Sequence, residues 1–181
     1  SEGDCVGFNS ASDYVLDVAR FEAGCATQAQ PIPERIRALE EALGLYRGDL
    51  LEGWYEDWAL VEAERLRLLY IHALQVLADC CQAIGALPRA LECMRRLAER
   101  DSFREDVHRR IMELHATLGQ REAALAQFAE CQRALKEAGI SPAPETIALL
   151  EQIRSGTFVG LPAAHSSPAI NANQVPAITP P

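Results

Sequence analysis

Four histidines (His72, His108, His115, His165) and six cysteines (Cys5, Cys25, Cys80, Cys81, Cys93, Cys131) are the side chains of this 181-residue chain best suited to hold a metal, pair as disulfides or supply a nucleophile. Their spacing argues for none of these roles. No two cysteines form a CxxC pair and four lie inside helical apolar patterns, so they read as buried thiols packing as small hydrophobes. His108 and His115 can share one face of a helix, but two imidazoles without a third ligand make packing residues rather than a zinc site. The carboxylates at Glu40 and Glu41, and at Glu62 and Glu64, have neither a partnered base nor an apolar cleft and read as solvated. Glycine-rich phosphate loops, HExxH, GxSxG and EF-hand patterns do not occur. The expectation is a chain with no catalytic residue, no metal and no cofactor.

Charge narrows the partners. The net charge of −9 disfavours nucleic acid as the partner of the whole chain, because phosphate contact needs an excess of lysine and arginine. Residues 1–64 carry fourteen acids against four arginines, whereas residues 65–136 carry twelve bases against nine acids. Seven arginines between Arg89 and Arg110 alternate with Glu92, Glu99, Asp101, Glu105 and Asp106, the pattern of a solvated helix face laced with i,i+4 pairs. Within that face Arg95, Arg96 and Arg100 are the candidate protein contacts, together with Trp54. No apolar stretch is long enough to span a membrane and residues 1–10 lack the features of a signal peptide, so a cytoplasmic protein is expected.

These side chains need a scaffold, and the composition points to helices. With 49% apolar and only 6% aromatic residues, and Ala, Leu, Glu and Arg recurring throughout, an all-α chain is favoured over a sandwich or barrel. The apolar period predicts helices over residues 17–25, 33–46, 57–84, 88–100, 103–118, 121–137 and 144–154. Pro33 suits a first helical turn, and Gly48, Gly85, Gly119, Gly139 and Gly156 supply the ends. Residues 6–18 alternate loosely around turn residues and read as a strand or hairpin remnant of a preceding domain. Beyond Ser155 the Pro, Ala, Ser and Asn content is that of a linker or tail.

An internal repeat gives the strongest organisation. Residues 84–94 align without gaps on residues 118–128, a spacing of 34, with Gly85 on Gly119, Ala90-Leu91 on Ala124-Leu125 and Met94 on Phe128. A helical hairpin needs a permissive residue after its first helix and a small one where its second helix crosses closely, which is what Gly85 and Ala90, and Gly119 and Ala124, provide. Enlarging either alanine should overpack the crossing, whereas changes at Gln120 or Arg121 should be tolerated. The period is that of tetratricopeptide hairpins, and the predicted fold is a tetratricopeptide-like array of about six to seven helices in antiparallel hairpins forming a right-handed superhelix.

Specific motifs add a resemblance. Ala42-Leu43-Gly44-Leu45-Tyr46-Arg47-Gly48-Asp49-Leu50-Leu51-Glu52-Gly53, Asp57-Trp58 and Glu62-Ala63-Glu64-Arg65-Leu66-Arg67 closely resemble the bacterial transcriptional activator domain of SARP-type antibiotic-pathway regulators. Arg104-Glu105-Asp106-Val107-His108-Arg109, Gly119-Gln120-Arg121-Glu122-Ala123-Ala124-Leu125 and Gly139-Ile140-Ser141-Pro142-Ala143-Pro144-Glu145-Thr146 fit the same pattern. The resemblance implies a tetratricopeptide-like helical domain that follows an OmpR-type winged helix and contributes to transcription activation through protein contacts. Residues 6–8 and 13–18 resemble only the last strand of such a winged helix and its connector. The first hairpin is also shorter than the family's.

The expected organisation is a connector at 1–16, the activator domain at 17–155 and a flexible tail at 156–181. Its expected function is a non-enzymatic regulatory module whose partners are proteins: the transcription machinery, its own other domains or a second copy. DNA would be reached only through a winged helix elsewhere. The alternative is a generic tetratricopeptide scaffold or adaptor that binds a peptide or small signal molecule in its concave groove. Tyr46, Gly48, Asp49 and Trp58 are expected to be structural, with Asp49 accepting turn hydrogen bonds and Trp58 buried over the long helix.

Overall fold

A computed structural model describes residues 16–26, 30–53 and 55–160. Trp54, most of the expected strand remnant and most of the expected tail lie outside the described residues, and the remnant's last two residues, Asp17 and Val18, are helical because they open α1. Seven helices and no strand occur among the described residues, a tetratricopeptide-like all-helical array: α1 (Asp17–Cys25), α2 (Ile32–Leu45), α3 (Asp57–Ala83), α4 (Leu87–Arg100), α5 (Glu105–Thr117), α6 (Arg121–Glu137) and α7 (Pro144–Ser155). The predicted boundaries agree to within two residues. The chain forms two compact units that divide between Ala73 and Leu74.

The first unit holds α1, α2 and residues 57–73 of α3. Proline at the second position of α2 costs no helical hydrogen bond, and Ile36, Leu39, Ala42 and Leu43 then fall on one buried stripe. Each large side chain so buried contributes about 1.5–3 kcal/mol relative to exposure. Helix α1 contributes Phe21 and comes very close to α2 at Gly24, where a Cβ atom would stand 2.7 Å from that of Ala42. Tyr46, just beyond α2, stacks on Tyr70 of α3 with centroids 4.3 Å apart and meets Phe21 at 5.6 Å. Its phenol donates to Asp49 Oδ1 at 2.8 Å, so one side chain ties the turn to both neighbouring helices. Asp49 therefore accepts a turn hydrogen bond, from the Tyr46 phenol.

Trp58 differs from expectation. It is 59% exposed, because α3 buries Ala59, Leu66, Tyr70 and Ala73, and Trp58 stands one residue from that stripe. One residue turns a side chain about 100° around the helix.

The second unit holds residues 74–83 of α3 together with α4 to α7. Four of its helices end in the same way, α7 at Gly156 with φ of +74°. Gly85, Gly119 and Gly139 have φ of +76°, +73° and +71°, a left-handed conformation that glycine adopts without a Cβ penalty. In the repeat, Gly85 N donates to Gln82 O and Ala86 N to Cys81 O, while Gly119 N donates to Ala116 O and Gln120 N to His115 O. These are paired Schellman bonds at a constant offset of 34 residues, so the sequence register is also a register of backbone hydrogen bonds. Ala90 and Ala124 are buried at the equivalent points of α4 and α6. Beyond them Met112, Ala124, Leu149, Leu150 and Ile153 form a cluster, flanked by Phe128 and Phe158.

Polar ties join these helices. Arg110 of α5 donates to Asp79 Oδ1 at 3.2 Å and to the Gln82 amide oxygen, both on α3. Glu105 accepts the Ala143 N–H at 2.7 Å, capping the entry to α7. Arg109 and Arg110 were expected on a solvated face of local pairs, but both bond across helices instead. Cys80, Cys81, Cys93 and Cys131 are buried free thiols and Cys25 is half-buried. Burial pushes the Cys81, Cys93 and Cys131 thiols up to about 11, so they pack as neutral hydrophobes.

Candidate protein-binding groove

An open groove of about 460 Å³ lies in the second unit among α4, α5 and α6. Helical spacing builds it. Arg95, Ala98, Glu99 and Ser102 recur every three or four residues along α4 and the turn after it, and Gln127, Glu130, Ala134 and Glu137 do the same on α6. Arg133 adds a cation on the α6 side, 3.8 Å from Glu130. His108 and Ile111 of α5 complete the lining. The rims are therefore charged with both signs, and Ala98, Ile111 and Ala134 supply the apolar part.

Two buried histidines brace this groove. His108 is 4% exposed; its Nε2 lies 2.9 Å from Ser102 O and its Nδ1 lies 2.6 Å from the Gln127 side-chain nitrogen. A carbonyl can only accept, so Nε2 carries the proton and Nδ1 accepts from the amide. His115 makes the complementary arrangement: Nδ1 meets Gln120 Oε1 at 2.7 Å and Nε2 faces the Arg95 guanidinium at 3.4 Å. With both ring nitrogens partnered, neither imidazole is left to act as a base or ligand. Among the described residues no group of three His, Cys, Asp or Glu side chains could hold a metal ion.

Of the sequence-derived contact candidates, Arg95 lines the groove. Arg96 and Arg100 share its helix without lining the groove, and Trp54 lies outside the described residues. Gln127, Glu130 and Arg133 were missed, although they follow the same α6 periodicity that gave Ala124. Gln120 and Arg121, expected to tolerate change, are anchored to His115 and to the Arg154 carbonyl respectively.

In the first unit, a pocket of about 500 Å³ opens beside Tyr46 and Asp49, lined by Val18, Phe21, Leu45, Leu50 and Leu66 with Asp17 and Arg47 at its edge. Nearby, Arg65 joins Glu62, at 2.6 Å, to Glu22 of α1. The Arg65 hydrogen bond holds the Glu62 carboxyl below the usual range even though partial burial opposes it.

A family model described as the bacterial transcriptional activator domain matches residues 16–154. No curated protein matches the chain. No helix among the described residues is long and apolar enough to cross a membrane.

Proposed function

Because the chain belongs to the bacterial transcriptional activator domain family, with a role in bacterial transcription activation, we propose that it is a non-enzymatic module acting through protein contacts. The groove among α4, α5 and α6 is its contact surface. The observation that carries this reading is the lining itself: Arg95 and Arg133 stand with Glu99, Glu130 and Glu137 around an apolar strip. Such a surface can pair with backbone and mixed charges of an extended protein segment. Its partners are the transcription machinery or other domains of its own polypeptide, in the cytoplasm where bacterial transcription occurs. DNA is reached through a separate DNA-binding domain, since the chain carries nine more acids than bases.

The generic adaptor reading, with a free peptide or small signal molecule as occupant, uses the same groove. Its openness and charged rims suit a protein segment better than a small molecule, whose sites are usually enclosed and mostly apolar.

The test is a reporter assay with the full chain fused behind a heterologous DNA-binding domain. Charge reversal by Glu99→Lys with Arg133→Glu should abolish activation while leaving operator affinity unchanged. Reversal at Arg100, which does not line the groove, should leave activation intact. Full activation by the Glu99→Lys, Arg133→Glu variant would overturn the reading.

A further inference from the structure

Within the second unit, the C-terminal half of α6 carries its acids and its bases on different sides. At about 100° per residue, Ala129, Gln132 and Arg133 fall within about 60° of Lys136, the chain's one lysine, whereas Glu130 and Glu137 stand about 100–120° from it. Both acids line the groove among α4, α5 and α6. The Lys136 side instead lines a separate open depression of about 510 Å³, completed by Ile140 and Pro142 of the turn into α7. Arg133 lines both. Its pair with Glu130 is long, at 3.8 Å, and more than half exposed, so it neutralises the arginine little. No carboxylate lines the depression, which is therefore cationic in a chain with nine more acids than bases.

The apolar part of this surface is held outward by the backbone. Gly139 N donates to Lys136 O and Ile140 N to Leu135 O, at 3.0 and 2.9 Å, the same pair of bonds that ends α3 and α5. The residue making the longer-range bond of such a motif commonly packs back on the helix end. Its equivalents in the two earlier turns are Ala86 and Gln120, whereas here it is a large aliphatic side chain left 55% exposed. The other end of the turn is fixed by the Pro142 ring and by the Ala143 N–H bond to Glu105. Ile140 is thus presented on a chain segment already ordered before a partner arrives, which lowers the cost of binding one.

We propose that this depression binds an acidic segment of another protein, one in which carboxylates flank an aliphatic side chain. The carboxylates meet Lys136 and Arg133, and the aliphatic group packs on Ile140 and Pro142. Charge selects the occupant, since a lining with cations and no acid rejects basic segments and draws in acidic ones. A nucleic acid fits less well: two cations neutralise only about two phosphates, and Ile140 and Pro142 offer a phosphate backbone nothing. The contact is small and belongs to the weak, reversible class. It does not rest on the groove reading, because Lys136 and Ile140 line this depression alone.

Fluorescence anisotropy of the full chain with a fluorescein-labelled peptide, Glu-Asp-Glu-Leu-Leu-Asp-Glu-Asp, tests the proposal. Binding should saturate and should weaken as salt is raised. The same peptide with Gln and Asn in place of its acids should bind at least about tenfold more weakly. Lys136→Glu should weaken binding of the acidic peptide by at least about tenfold, and Ile140→Ser by at least about threefold. Both positions are exposed, so circular dichroism and melting should match the parent. Glu99→Lys, in the groove, should not weaken peptide binding. Absence of saturable binding by the wild type would overturn the proposal, as would binding that neither the Lys136 nor the Ile140 variant weakens. Weakening by Glu99→Lys would overturn it by moving the peptide to the groove. A labelled DNA duplex that binds more tightly than the peptide, and is lost in Lys136→Glu, would overturn it in favour of a nucleic-acid contact.

Discussion

The Arg109 guanidinium of α5 donates from Nη1 to the Thr146 hydroxyl in the first turn of α7, at 3.0 Å, and Thr146 is fully buried. With the Glu105 cap on Ala143, this bond fixes the start of α7 on α5, across more than thirty residues of chain. Thr146→Val keeps the shape but removes the acceptor, and should cost about 1–2 kcal/mol in urea unfolding. Thr146→Ser should recover most of the loss. If the valine variant unfolds at the parental midpoint, the bond contributes nothing to stability.

Ala90→Leu and Ala124→Leu should each destabilise by about 1–3 kcal/mol, since both positions are fully buried and a larger side chain would overpack them. The suitable control is the exposed Ala126→Leu on α6. Gln120→Leu, by contrast, should lower the melting temperature, because it strips the Nδ1 acceptor from buried His115. Parental melting temperatures for both Ala variants would separate the 34-residue register from the packing.

Gly24→Ala should destabilise the first unit by a comparable amount, about 1–3 kcal/mol, because its Cβ would meet that of Ala42 at 2.7 Å. The check is compensation: adding Ala42→Gly should recover part of the loss in thermal melts. A double variant no better than the additive sum of the two changes would place the strain elsewhere.

Burial holds the Glu113 carboxyl above the usual range, with Arg110 and Arg109 pulling it back only in part. A raised folded-state value means that the stabilising contribution is complete below the unfolded value and is lost as pH rises through the folded one. Glu113→Gln should therefore melt above the parent at neutral pH, and the difference should shrink to nothing below about pH 4. Glu62 runs the opposite way: the Arg65 hydrogen bond lowers it, so its contribution is lost as pH falls through its folded value.

Much of the helical scaffold was legible because the information is local. Apolar periods marked the seven helices among the described residues and glycines marked the ends of α3, α5, α6 and α7, whereas α2 ends at Leu45, ahead of the expected Gly48; Gly85 and Gly119 marked equivalent turns whose hydrogen bonds repeat at the same offset. What escaped depends on distance in the chain. Gly24 is a helix-interior glycine until Ala42 is seen beside it, and Arg109 and Arg110 resemble a solvated face until Thr146, Asp79 and Gln82 come within reach. Trp58 departs from the expected burial because the phase of α3 turns it outward, one residue from the buried stripe. Of the groove, Arg95 was legible as a charged contact, but Gln127, Glu130 and Arg133 acquire meaning only once α6 lies beside α4 and α5.

Among α4 to α7 each helix packs on its immediate neighbour in the chain, and α5 also reaches α7, the next but one. Contacts of such short sequence separation belong to chains that fold in microseconds to milliseconds. They also suit an order imposed by synthesis. Helices α4 and α5 can pair as they leave the ribosome, α6 can add to them, and α7 arrives last to close over Met112 with Leu149, Leu150 and Ile153.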